Sequence, residues 1–240
     1  MEKQNHQPYQ VALDLKISEK SDFNSFVPGN NAGTVQLLKN AIINKDHEFY
    51  YLFGPHGSGK SHLLNALFQL PEANSKCFFV DMNLVKTIGS FVLDVNLPEI
   101  TIIDNVDVIA GDENFELALF GLFNRWYDSR KGVLIMSGSC SFDYIPFSKK
   151  DLTTRLSSGV ICSLDFLDEK SCIEALQKKT VEKAFNLPAS TAAFLVHHCN
   201  RDIRSLVKIL DELDKLQIEH YHKLTIPFVK KVLSIVTVNY

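Results

Sequence analysis

The chain has 240 residues, is 45% hydrophobic and carries a formal net charge of −3. That length accommodates one good core with a small second unit, and the charge argues against a protein whose main affinity comes from neutralising many phosphates along DNA, so a protein partner is the better expectation. No apolar run approaches the roughly 18 residues that span a bilayer, and the polar start from Met1 to Gln7 lacks a signal-peptide core, so a cytoplasmic protein without a membrane partner is expected. Cys77, Cys140, Cys162, Cys172 and Cys199 are scattered without C-x-x-C spacing, which indicates neither a disulfide framework nor a structural metal.

In chain order, residues 1–20 read as a polar tail with one small apolar cluster at Val11, Ala12, Leu13 and Leu15. Residues 26–31 form a turn, and Val35, Leu37, Leu38, Ala41 and Ile42 then suit a short amphipathic helix. Strands are expected near residues 49–53, 77–81, 100–104, 132–137 and 160–164, with helices near 61–69, 114–127 and 149–156 between them. Buried strands alternating with helices imply a parallel sheet covered on both faces. After Leu167 the strands stop, and four helical patterns follow, so the expected division is an α/β domain over 21–167 and a small all-helical domain over 168–240.

The most informative stretch is Gly54-Pro55-His56-Gly57-Ser58-Gly59-Lys60-Ser61-His62, a full G-x-x-x-x-G-K-S signature between a strand-like and a helix-forming run. Its glycines let successive backbone N–H groups point at a phosphate, and the following helix favours the negative charge. Lys60 is expected to reach the β- and γ-phosphates and Ser61 to hold Mg²⁺. Asp104 ends the apolar run Ile100-Thr101-Ile102-Ile103 and suits a second Mg²⁺-side role, the alternative being an Asp that caps a turn. The next residue is Asn105, whose amide cannot take a proton, so slow intrinsic hydrolysis is expected; Asp107, two residues on, could stand in if the chain stays extended there, which leaves turnover open. His197-His198 and His220-x-His222 lack a completing acid or thiol and read as packed or surface imidazoles. The aromatic run ending at Trp126 and Tyr127 reads as core.

The P-loop, the strand ending Ile103-Asp104-Asn105, Ala110-Gly111-Asp112-Glu113, a helix ending Thr154-Arg155-Leu156, and an arginine early in a late helix together resemble the AAA+ family, in particular the module of the bacterial initiator DnaA. The closing stretch from Lys223 to Lys230 resembles that of the shorter Hda-like regulators of DnaA. The resemblance implies an AAA+ fold with a helical lid, bound ADP or ATP with Mg²⁺, Arg155 as an arginine finger acting in trans, and Arg204 at the sensor-2 position facing the nucleotide. Ser137 lies near sensor 1, although Met136-Ser137-Gly138-Ser139 departs from the usual continuation. Gln10-Val11-Ala12-Leu13-Asp14-Leu15 is similar to the peptide with which such proteins dock on the β sliding clamp through Gln10, Val11, Leu13 and Leu15; a tail strand packed on its own domain is the alternative. The implied partners are therefore DnaA and the clamp, with room for a homo-oligomer and only indirect or weak DNA contact. The implied function is stimulation of ATP hydrolysis by DnaA, which limits re-initiation of replication. An initiator fragment or a helicase-loader-type ATPase shares the same core, and a free-standing ATPase is disfavoured by Asn105.

Overall fold

Five short apolar runs become the strands of one sheet in the computed structural model, which describes residues 21–73, 77–182, 187–199, 202–220 and 224–236. The strands are β1 (Phe49–Phe53), β2 (Cys77–Asp81), β3 (Ile100–Asp104), β4 (Val133–Gly138) and β5 (Val160–Ser163). They pair in parallel in the order β2-β3-β4-β1-β5. The central strands are buried along nearly their whole length, whereas the edge strands β2 and β5 are only partly covered, which explains why the central three read as continuous apolar runs.

Because side chains alternate along a strand, each strand feeds two cores. Phe49, Tyr51, Ile103, Leu134 and Met136 face one side, against α3 (Met82–Ile88), α4 (Glu113–Ser129) and α5 (Lys150–Leu156). Tyr50, Leu52, Ile102, Ile135 and Cys162 face the other, against α1 (Ala32–Asn44) and α2 (Lys60–Phe68). A third cluster, including Cys172, Leu176, Leu195, Leu206, Leu210 and Val229, lies within α6 (Glu169–Glu182), α7 (Ala189–His198), α8 (Ile203–His220) and α9 (Ile226–Val236). Among the described residues no helix is long and apolar enough to cross a membrane.

Helix α3 is absent from the sequence reading. It has only seven residues, and its start is set locally by Asp81, whose carboxylate accepts the Asn83 N–H at 2.9 Å. The tail, with Gln10, Val11, Leu13 and Leu15, lies outside the described residues.

Candidate functional site

The parallel sheet puts the carboxyl ends of all five strands on one side, and the loop after β1 lies there. Two features of that loop require glycine. At Gly54 a Cβ would stand 2.1 Å from the Leu164 carbonyl oxygen, and Gly57 has φ +83°, a left-handed conformation. Lys60 is 6% exposed, and its ammonium donates to the Gly54 oxygen at 2.6 Å and the Pro55 oxygen at 3.1 Å. Burial lowers its pKa, an effect opposed by Asp104 and Asp107 and reinforced by Arg204. The Ser58 hydroxyl is buried in the same loop without a hydrogen-bond partner among the described residues.

Asp104 closes the site from β3 and is 2% exposed. Burial raises its pKa, while hydrogen bonds from Ser137 and Ser61 pull it down. The Ser137 hydroxyl donates to Asp104 Oδ1 and accepts the Asn105 N–H at 3.1 Å, so it fastens the turn after β3 to β4. A buried ammonium, an orphaned hydroxyl and a buried carboxylate beside Ser61 form a donor set that fits a nucleotide's phosphates with a divalent cation held by oxygen ligands.

Asn105 and Asp107 depart from the extended chain on which the stand-in role of Asp107 depended. Asn105 adopts φ +60°, a region in which asparagine is tolerated, and its amide donates to Asp81 Oδ1 at 3.0 Å. The chain then turns through Val106–Ile109, and the Asp107 carboxylate accepts the Ser139 N–H at 3.2 Å and its hydroxyl at 2.5 Å. Asp107 is thus fixed to the end of β4, yet its charge still bears on Lys60.

A cavity runs from this loop to the helical lid, with apolar walls from Phe26, Val27, Leu167, Leu176, Ile203 and Val207 and with Ser58, Gly59 and His62 at one side. His62 meets Ser25 Oγ at 3.0 Å and packs edge-on against Phe26 at 5.2 Å between centroids. Residues 26–31 are thus more than the expected turn: the adjacent Phe26 and Val27, both buried, are the sequence's sign of this apolar wall. Arg204 is exposed at the start of α8, the helix whose Ile203 and Val207 line the cavity. His56 lies exposed on the crest of the loop.

Arg155 is elsewhere. Helix α5 returns the chain to the amino end of β5, where Val160 pairs with Tyr50 and Gly159 abuts Phe49, the first residue of β1. Five residues of strand, roughly 16 Å, separate that end from the P-loop. The Arg155 guanidinium lies 5.3 Å from the Tyr127 ring centroid, 5.7 Å from that of Phe123 and 5.9 Å from that of Phe120. Among the described residues it forms no ion pair with Asp151. The guanidinium thus rests among three aromatic rings, and among the described residues none of its N–H groups donates a hydrogen bond. Of the histidines, His197 meets Glu169 at 3.1 Å and His198 bonds the Phe194 carbonyl at 2.9 Å.

Residues 17–163 match the family model described as the bacterial DnaA ATPase domain, and residues 168–233 match that of the Hda lid domain. Among solved structures, domain III of the Thermotoga maritima replication initiation protein DnaA is similar with a TM-score of 0.79 and 19% identity, over 90% of this chain and 96% of that one. AMPPCP-bound DnaA from Aquifex aeolicus is similar with a TM-score of 0.67 and 18% identity, over 84% of this chain and 67% of that one. The Thermotoga maritima RuvB Holliday junction branch migration motor gives 0.68 and 14%, over 90% and 72%. At these identities the structural likeness shows the AAA+ fold, a five-stranded parallel sheet with flanking helices and a helical lid.

Proposed function

Because the chain belongs to the bacterial DnaA ATPase-domain family and its lid matches that of Hda, we propose that it is a cytoplasmic AAA+ regulator that stimulates ATP hydrolysis by DnaA while docked on the sliding clamp. In this reading it binds ADP or ATP, with the N–H groups of residues 54–62 and Lys60 around the phosphates, Ser61 and Asp104 holding Mg²⁺, and Arg204 approaching from the lid. The cation would neutralise phosphate charge, and Asp104 would keep its carboxylate oriented through Ser137. Adenine-nucleotide binding is supported by the AMPPCP that the Aquifex DnaA holds.

The observation that carries the regulatory reading is the separation of Arg155 from the chain's own P-loop, with no hydrogen bond or ion pair from its guanidinium among the described residues. An arginine so placed serves a neighbour's nucleotide better than its own. Self-association would place it beside a second copy's nucleotide, and DnaA, which shares the fold, would take the place of that copy. The deciding experiment mixes the protein with DnaA–ATP and DNA-loaded clamp and follows ADP formation while each component is omitted in turn. Hydrolysis that requires all of them supports the proposal; hydrolysis by the isolated protein at an ordinary ATPase rate would overturn it.

Two further results are expected. Lys60→Ala should lose nucleotide, and the rise in melting temperature that saturating ADP gives the wild type, roughly 5–10 °C at a hundredfold excess over Kd, should vanish with it. Gln10→Ala combined with Leu13→Ala should abolish clamp binding and leave nucleotide binding intact; unchanged clamp affinity in a direct binding assay would remove the tail from the clamp site.

A further inference from the structure

The lid sets a carboxylate directly on the phosphate-binding loop. Asp202 precedes α8, and its Oδ1 accepts the Ser205 N–H at 2.8 Å, so the side chain is held as the cap of that helix. The same carboxylate abuts the middle of the P-loop: a methyl group at Gly57 would stand 2.7 Å from Asp202 Oδ1 and 2.8 Å from its Cβ. Gly57 belongs to the loop that the nucleotide-binding reading wraps around the phosphates, and Arg204, two positions beyond Asp202, bears on the charge of Lys60. The lid therefore brings one cation and one anion to a loop that binds anions.

Capping does not call for the charge, since Asn and Ser cap a helix about as well as Asp. Beside bound phosphates a fixed negative charge is a cost that grows with the charge of the nucleotide. We infer that Asp202 is a specificity-determining residue of the nucleotide site, which selects a nucleoside diphosphate over the more highly charged triphosphate when the lid lies on the loop. This rests on the nucleotide-binding reading above and adds to it the basis of the choice. Arg204 and the helix N-terminus supply attraction common to both nucleotides, and Asp202 supplies the discrimination.

The test is Asp202→Asn in the full chain, a nearly isosteric change that keeps the cap and removes the charge, with Mg-ADP and Mg-ATP affinities measured by titration calorimetry. The wild type should prefer ADP, and that preference should narrow as salt rises. In Asp202→Asn the ratio of ATP to ADP dissociation constants should fall about tenfold, the scale of one unit charge acting across several ångströms of partly screened medium. Asp202→Ser, a second neutral cap, should do the same and is read in its place if the Asn variant does not fold. A ratio unchanged in the neutral variants, including one in which both affinities shift equally as a purely structural cap would produce, overturns the inference. So does a wild type with no preference for ADP. A wild type that binds neither nucleotide fails earlier, and takes the nucleotide reading with it.

Discussion

Arg155→Ala and Arg155→Lys should each leave the fold, nucleotide binding and clamp association intact and yet lose the stimulation of DnaA-bound ATP hydrolysis, by roughly 10³-fold or more. A guanidinium supplied by a neighbour stabilises charge developing on the transferred phosphoryl group, and it does so through a planar fork that engages two oxygens. An ammonium on lysine keeps the charge and can still rest on the rings of Phe120, Phe123 and Tyr127, but it has no fork. The two variants thus separate cation from geometry. The structural contribution of Arg155 is small by comparison: its ring contacts at 5.3–5.9 Å are worth about 1 kcal/mol at a partly exposed site. A drop of a few degrees in melting temperature is therefore compatible with the finger role. A large drop in Arg155→Ala, with stimulation retained by the material that stays folded, would assign the residue to the α4–α5 contact instead.

The sheet was legible in the sequence because its strands are short apolar runs, and the phosphate loop was legible because its backbone geometry demands glycine at fixed spacing. The site around the loop was less so, for physical reasons that differ from residue to residue. Asp107 looked free to replace an acid at position 105 only while the chain was drawn straight; Asn105 at φ +60° turns it away and gives its carboxylate to Ser139. Asp202 and Gly57 are far apart in sequence, and nothing local to either announces their contact. The apolar run on α4 is core only in part: Phe123 and Trp126 are buried, whereas Leu117 is 58% and Tyr127 40% exposed. An amphipathic pattern gives the mean direction of the core and not the depth of each residue.

Glu116 is the residue that the sequence concealed most fully. In Glu113-Asn114-Phe115-Glu116 it reads as one more acid in the first turn of a helix, favourable to the dipole and exposed. Instead it is wholly buried, and its carboxylate accepts three backbone N–H groups, from Gly111 at 2.8 Å, Ser148 at 3.0 Å and Lys149 at 2.8 Å. Two of these donors lie more than 30 residues away, in the segment that leads into α5. Glu116→Ala removes all three acceptors at once and leaves partly buried N–H groups without partners, so it should destabilise the protein by about 3 kcal/mol or more and lower the melting temperature by roughly 6–12 °C. Glu116→Gln keeps the shape but offers a single acceptor oxygen, and its NH₂ opposes at least one of the backbone donors, so an intermediate loss is expected. Chemical denaturation of the two variants ranks them, and a melting temperature for Glu116→Ala within a degree or two of the wild type would show that the three bonds hold nothing. Since Ser148 and Lys149 set where α5 begins, the Gln variant should also weaken the activation that depends on Arg155 more than it weakens nucleotide binding, because the P-loop shares no bond with Glu116.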